Sequence, residues 1–458
     1  MKARIGLIVL LALAAVAALP ALASAGVPVA PGNAIAENFI ASSGCGCHAT
    51  LVDQWSKSMH AQAIDDPVFL VKVTEAQLEA GTAVAIFCKR CHAPVGNMTG
   101  DYDGTMSEVA GESVTCMFCH QVLAVNGEPV NVAHILQPDL TRRAQLKDPQ
   151  APHPAAYSEI HEKAEICGAC HNVAHPTSGA HLESSYTEWA ESPYAAEGIV
   201  CQDCHMSREP GFIGPSPGSA AAGGPPRDNI YEMTFIGANV AQGPADASRA
   251  LLQSAATLEV EIDEIVAPST TSSLTVTVTN AGAGHYLPTG LTEVREMWLR
   301  VYVESEGGVL AEIGERRFGT VLHDAKGNHP AELWEAVGVL SDDRIPPRQS
   351  VTESYAFTMP AAAEEATIVA VLNYRSMPDE LAEAAGVENP VTVMAEARES
   401  VYASEAARDG EPETPAGEVP AESSVAWWPY AAGVALVALV AGAYVLLRRR
   451  RTAHGGSA

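Results

Sequence analysis

The sequence predicts an α-helical and coil domain, followed by an all-β immunoglobulin-like sandwich and one C-terminal transmembrane helix. Three observations carry that expectation. All ten cysteines of the chain fall in five clusters between Cys45 and His205, and a histidine closes each cluster. From about residue 255 the pattern changes to short runs with period-two alternation, separated by turn residues. Near the end, an uncharged stretch from Trp427 to Leu447 abuts Arg448 to Arg451.

The clusters read Cys45-Gly-Cys47-His48, Cys88-Lys-Arg-Cys91-His92, Cys116-Met-Phe-Cys119-His120, Cys167-Gly-Ala-Cys170-His171 and Cys201-Gln-Asp-Cys204-His205. Four of them are C-x-x-C-H, the attachment signature for c-type haem. Two thiols three residues apart on one helical turn lie on the same face and reach the two vinyl groups of one porphyrin. The histidine that follows supplies the proximal nitrogen to iron. Zinc knuckles also use C-x-x-C pairs, and disulfides suit an even cysteine count in an exported protein. Neither explains a histidine directly after the second cysteine in every cluster. The expectation is five covalently attached haem c groups, with the ten cysteines as thioethers and His48, His92, His120, His171 and His205 as proximal ligands. So many porphyrins between Cys45 and His205 are expected to form the core of residues 26–245, wrapped by short helices and loops.

The first cluster departs from the pattern. Cys45 and Cys47 are two apart, and Gly44 stands where the first cysteine of the motif belongs. Residues two apart on a helical turn do not face the same way. Cys47 keeps its place beside His48 and is the safer thioether, whereas Cys45 attaches only if the loop unwinds around Gly44 and Gly46.

The flanks speak of export. Lys2 and Arg4, the apolar run Ile5 to Leu22 and Ala23-Ser24-Ala25 make a secretory signal peptide over residues 1–25. At the other end, residues 426–447 are long and apolar enough for the hydrocarbon core. Trp427, Trp428 and Tyr430 suit the outer interface, and the basic tail 448–458 would lie inside. The expected placement is single-pass in the cytoplasmic membrane, with the bulk extracytoplasmic. Residues 404–425, rich in Glu, Pro, Ala, Ser and Gly, read as a flexible acidic tether. Without the six basic residues of signal peptide and tail, 27 − 6 = 21 Lys and Arg face 55 Asp and Glu, a formal −34. Nucleic acid is a poor partner for such a surface, and redox proteins with basic docking patches would be steered to it.

The sandwich is expected over residues 250–403. Thr257–Ile262, Ser273–Thr279, Met297–Val303, Val351–Phe357 and Thr367–Leu372 alternate as half-buried strands, and their spacing suits two packed sheets. The last part, Pro378–Ala407, reads as helix and coil.

At particular residues the chain resembles a known family. Trp55-Ser-Lys-Ser-Met-His60 looks like the W-x-x-S-x-H element of multihaem cytochromes c related to the nitrifiers' tetrahaem electron carrier. So do Glu188-Trp189 and Gly198–Met206. Gly284-His285-Tyr-Leu-Pro-Thr-Gly290, Trp334-Glu-Ala, Arg344-Ile-Pro-Pro347 and Leu372–Arg375 resemble a sandwich domain often fused to them. The resemblance implies distal iron ligands at His60 and at His153, in Asp148-Pro-x-x-x-His153. Where the family has a histidine before an aromatic and Gly-Ala-Asn, this chain has Met233. A thioether there would raise the potential of its iron, unless Met233 merely fills an apolar gap. His285, held between glycine and a Pro-Thr-Gly turn, is placed to reach from the sandwich into the haem domain. His161 and His134 compete for a further distal position, with His175 and His181 behind them.

These residues predict a membrane-anchored pentahaem carrier, passing electrons between a membrane oxidoreductase and an extracytoplasmic partner. An enzyme of the same family, reducing nitrite or oxidising hydroxylamine, needs an iron with an open position. The C-x-x-C-K motif of the pentahaem nitrite reductases is absent, and no cluster clearly lacks a candidate sixth ligand. A subunit of an extracellular cytochrome filament is a further alternative, against which the membrane stalk argues.

Overall fold

The computed structural model describes residues 32–34, 36–102, 106–305 and 308–409. Up to Arg408 the chain forms one compact unit. Its first part is a string of short helices, several of which deliver a cluster. A helix over Pro67–Ala80 starts with Asp66 accepting the Val68 N–H and proline in the first turn. It leads into the helix Thr82–His92, whose last turn is the second cluster. The third and fifth clusters form the short helices Cys116–Gln121 and Cys201–His205, and the fourth is entered by Glu165–Gly168. The first lies on a 3-10 turn, Gly46–His48, ahead of the helix Ala49–Ser56.

Side chains alone give this part only a small core. Phe39, Val95, Met98, Met117, Phe118, Val122 and Leu136 pack together, with Cys91, Cys119 and Cys170 against them. The chain here is also more than helix and coil. Antiparallel β1 (Val122–Val125) and β2 (His134–Leu136) pair, as do parallel β3 (Arg142–Ala144) and β4 (Ala155–Tyr157). Antiparallel β5 (Val173–Ala174) and β6 (His181–Glu183) follow, then β7 (Ser216–Gly218) and β8 (Arg227–Ile230). These pairs are too short to show periodicity in the sequence; turns between clusters bring their backbones together.

The second part is built on two sheets. β9 (Ala256–Ile262), β10 (Thr271–Asn280) and β15 (Ser350–Thr358) form the first, in the order β15-β10-β9. β11 (Glu296–Ser305), β12 (Gly308–Phe318), β16 (Glu365–Arg375) and β17 (Thr392–Tyr402) form the second, in the order β12-β11-β16-β17. A separate hairpin joins β13 (Thr320–His323) to β14 (Gly338–Asp342). Alternation decides the faces. Leu274, Val276 and Val278 of β10 and Met297, Leu299 and Val301 of β11 are buried in one shared core, while Thr275, Thr277 and Thr279 point the other way. The helix Ala245–Ala255 contributes Leu252 and Ala255 to that core and runs directly into β9.

Two expectations need correction. Residues 378–407 are not helix and coil: the helix Asp379–Ala385 is followed by the long strand β17, paired along most of β16. The Ala and Glu content favours helix locally, but Thr392, Met394 and Val401 bury against the sandwich and tertiary packing overrides propensity. The second correction concerns the membrane. Among the described residues no helix is long and apolar enough to cross one. The expected span 426–447, the basic tail, the signal peptide and most of the tether lie outside the described residues. Among the described residues the fold is therefore mixed helix and strand with several small sheets, and nothing in them supports the expected C-terminal transmembrane helix or the single-pass membrane placement.

The two parts are joined by polar contacts. Glu188 of the helix Ser185–Ala190 is buried and accepts hydrogen bonds from Tyr286 N–H (3.1 Å) and the Thr289 hydroxyl (2.6 Å), and pairs with Arg344. Arg344 also pairs with Asp342 at 2.7 Å. Arg348 meets Glu197 through both nitrogens, at 2.6 and 2.7 Å, and lies over the Tyr194 ring. Lys72 bridges to Glu332 at 2.8 Å, and the helix Asp379–Ala385 packs on Pro67–Ala80.

Candidate functional site

Each cluster histidine has its Nδ1 held by an acceptor. His48 bonds Ala220 O (2.6 Å), His92 bonds Ala63 O (2.7 Å), His120 bonds Arg143 O (2.7 Å) and His205 bonds Ile236 O (2.6 Å). His171 instead meets the Glu183 carboxylate at 3.1 Å. An N–H fixed at Nδ1 sets the tautomer and leaves Nε2 free for a metal, the usual outer-shell arrangement of a ligating histidine.

Four of these rings face a second imidazole. His48 lies 6.3 Å from His153, His171 lies 6.2 Å from His60, His120 lies 6.0 Å from His161 and His205 lies 6.2 Å from His285, between ring centres. Two metal–imidazole bonds of about 2 Å, plus roughly 1 Å from each nitrogen to its ring centre, put two axial imidazoles ~6 Å apart. The spacing is that of two ligands on one iron. The planes are close to parallel in the His120–His161 and His205–His285 pairs, at 12° and 16°. His161 adds a sharper sign: its Nε2 is bonded to Cys119 O at 2.9 Å, while its buried Nδ1 has no hydrogen-bond partner. The residues present thus fit haem c with histidine on both faces. No group of three or more His, Cys, Asp or Glu side chains converges as a metal-ion site among the described residues.

Local chemistry explains how the facing histidines are presented. The Trp55 indole N–H donates to Val114 O (2.8 Å), and buried Ser58 donates to Trp55 O (2.7 Å). That pair turns the chain into the helix Met59–Gln62, which carries His60. His285 sits on a loop fixed from several sides: Asn280 donates to His285 O (2.9 Å) and Ile345 O (3.1 Å), and Glu188 holds Tyr286 and Thr289. Gly282 in that loop approaches Ser254 O so closely that a Cβ would lie 2.1 Å from it.

The remaining candidates lie elsewhere. His134 bonds Ile166 O at 2.8 Å and packs edge-on against Phe118. His175 faces Trp334 O at 3.2 Å. Met233 donates its N–H to Gln54 (2.9 Å), and Phe235, two residues on, packs on His60 at 4.4 Å. His92 differs from the other cluster histidines. Phe69 stacks flat on its ring at 3.7 Å, and among the described residues no imidazole stands opposite it. The expectation that every cluster has a candidate sixth ligand thus meets a site where no histidine partner is in place.

Electrostatics favours neutral imidazoles, the form that binds metal. Desolvation pushes His60 down to about 3, with His171, His205 and His92 adding to it. His161 and His205 are pushed to about 4 by desolvation first and by their facing rings second, although backbone acceptors oppose the shift. His171 is the exception. Desolvation would lower it, but the Glu183 carboxylate holds it up at about 9.

The clusters are close neighbours. Cys45 hydrogen-bonds Cys116, which holds the Cys45 thiol down at about 7 and pushes Cys116 up. Cys167 meets Cys201, and Cys170 meets Cys91, while Cys119 acts electrostatically on both Cys167 and Cys170. The fourth cluster therefore borders the second, third and fifth, and the third borders the first. In the first cluster Cys47 is exposed and Cys45 half-buried. A Cβ at Gly44 would lie 2.7 Å from the side chain of the exposed Ile40. Cys47→Ala is expected to remove one haem from the intact mass of the holoprotein, and Cys45→Ala only to weaken attachment. Equal loss from both would reverse the ranking.

Glu293, in the 3-10 turn Thr292–Val294, is a functional-looking residue that sequence reasoning missed. Both its carboxylate oxygens are cut off from solvent without a hydrogen-bond partner. They border a cavity of about 250 Å³ with Arg295, Met297, Phe318 and Pro378. Desolvation pushes the carboxyl from 4.5 up to about 8, against the opposing charges of Arg295 and Lys72. An acid raised in the folded state leaves stability intact below its unfolded value and withdraws it as pH rises through the folded one. The unfolding free energy should therefore fall between about pH 4.5 and 8, by on the order of 5 kcal/mol. Glu293→Gln should flatten that slope; an unchanged slope would show that Glu293 is ionised at little cost.

Comparison with known proteins agrees with this geometry. Residues 45–121 match the family described as cytochrome c554 and c-prime. A penta-haem cytochrome c552 from Thermochromatium tepidum is similar in structure, with TM-score 0.57 and 19% identity, over 79% of this chain and 99% of that one. A CARDB domain from Pyrococcus furiosus aligns at 15% identity over 32% of this chain and 86% of its own, with TM-score 0.17, too slight a likeness to support an argument. No curated protein matches the chain. Residues 45–121, which hold the first three clusters, are thus similar to a multihaem cytochrome c family, and the chain shares its fold with a penta-haem cytochrome c.

Proposed function

We propose that the chain carries five haem c groups and passes electrons between a membrane oxidoreductase and an extracytoplasmic redox partner. The observation that carries this reading is the set of four facing imidazole pairs whose cluster histidines are all fixed at Nδ1. Bound haem supplies the one-electron change at iron, and the protein supplies binding, spacing and tuning. The neighbouring thiols support a path from the first cluster through the third to the fourth, which branches to the second and the fifth. The acidic surface favours a partner with a basic docking patch. Intact mass and low-temperature EPR of the oxidised holoprotein test the reading. Five haem groups and predominantly low-spin ferric signals are expected; fewer groups, or mostly high-spin iron, would overturn it.

One observation favours a second reading. His92 faces no imidazole, so an iron bound there is the candidate for an open position and for chemistry on nitrite or hydroxylamine. A high-spin ferric signal that shifts when either compound is added, together with turnover of that compound with a redox partner that is lost in a His92 variant, would establish that activity.

A further inference from the structure

We propose that Glu183 sets the fourth cluster apart as the hardest position to reduce in the chain, by hydrogen-bonding His171 through a full negative charge. The inference rests on the proposed haem at Cys167 and Cys170 with His171 as its proximal ligand. His48, His92, His120 and His205 each give their Nδ1–H to a backbone carbonyl, whereas His171 gives it to Glu183 Oε1. A carbonyl offers a dipole; a carboxylate offers a charge. The carboxylate draws the proton further from the ring, moves electron density towards Nε2 and makes the imidazole a stronger donor, which stabilises ferric over ferrous iron.

The fold builds this contact locally. Directly after the fourth cluster the chain enters β5, turns, and returns through β6 with Val173 opposite Glu183. The hairpin thus folds the carboxylate back onto the histidine of its own cluster, and the Ser185 hydroxyl lies 3.5 Å from the same oxygen. The Glu183 side chain is 15% exposed and the His171 ring 53% exposed, so the carboxylate is shielded from water mainly on its own side of the bond. Position gives the contact its consequence. Because the fourth cluster borders the second, third and fifth, Glu183 acts at the junction of every proposed branch. An electron crossing from one arm to another meets its highest step there, and each arm fills before the junction does.

The test is a redox titration of the holoprotein, followed by optical spectra and EPR, with intact mass as a control. In Glu183→Gln the amide oxygen still accepts the bond but carries no charge. The lowest reduction step should rise while haem number and low-spin signals stay as in the wild type. Glu183→Asp, which keeps the charge, should leave that step lower than in Glu183→Gln. An unmoved lowest step in Glu183→Gln, or equal rises in both variants, would overturn the assignment to Glu183. Absence of a haem at Cys167 and Cys170 from the wild-type mass would instead remove the functional reading beneath it.

Discussion

In the holoprotein, His285→Ala turns one low-spin haem high-spin and leaves the intact mass with its full complement of haem. On the proposed reading the thioether bonds of the fifth haem would come from Cys201 and Cys204, and neither is touched by the change. His205 remains anchored through Ile236 O. Only the proposed ligand on the far side from His205 is removed, because among the described residues no other ring contact pairs an imidazole with His205 as His285 does at 6.2 Å. Removing an axial imidazole from a six-coordinate ferric haem gives a high-spin signal in EPR and a shift in the optical spectrum. Added imidazole should restore the low-spin form. An unchanged spectrum would reduce the sandwich to a spacer.

The second large effect lies one layer out. Glu188→Ala leaves Arg344 buried with one of its two carboxylates gone, and leaves the Tyr286 N–H and the Thr289 hydroxyl without their acceptor. Breaking a buried pair by removing one partner costs about 3–5 kcal/mol, and this one is almost wholly screened, with side chains 4% and 9% exposed. Urea unfolding should show a loss of that size. The loop that carries His285 loses its main tie to the haem domain, so part of the fifth site should turn high-spin in the folded variant. Replacing Glu188 and Arg344 together by leucine and methionine should recover part of the stability, since the buried cation is gone, while Asp342 and the Tyr286 N–H still lose their partners. Loss of stability with an unaltered spectrum would mean that Asn280 suffices to hold the loop.

The five clusters are legible in the sequence because covalent attachment demands contiguous residues. The facing histidines are less so. His60 and His153 are readable only through a family pattern, and His285 through the rigid residues around it, since a ligand distant in sequence leaves no local spacing rule. The acceptors behind the rings are mostly backbone carbonyls, such as Ala63 O and Ile236 O, and a carbonyl has no residue type to read. Glu183 has one, but a lone glutamate near a cluster is common; only the β5–β6 hairpin selects it. Alternation reveals β10 and β11 clearly, whereas the Glu- and Ala-rich composition of residues 378–407 conceals β17. The membrane expectation fails for the described residues because its whole argument rests on a segment beyond them.

The loop of His285 has one more implication, for how the molecule matures. His205 enters the growing chain well before His285, and the loop takes its shape only when β10 and the segment around Ile345 have paired across it. On the proposed reading, a haem held by Cys201 and Cys204 would have only His205 beside it until the C-terminal sheets close. Completion of the fifth centre is in effect a signal that the last part of the chain has folded. A molecule stalled before that point would display a reactive iron rather than a silent one.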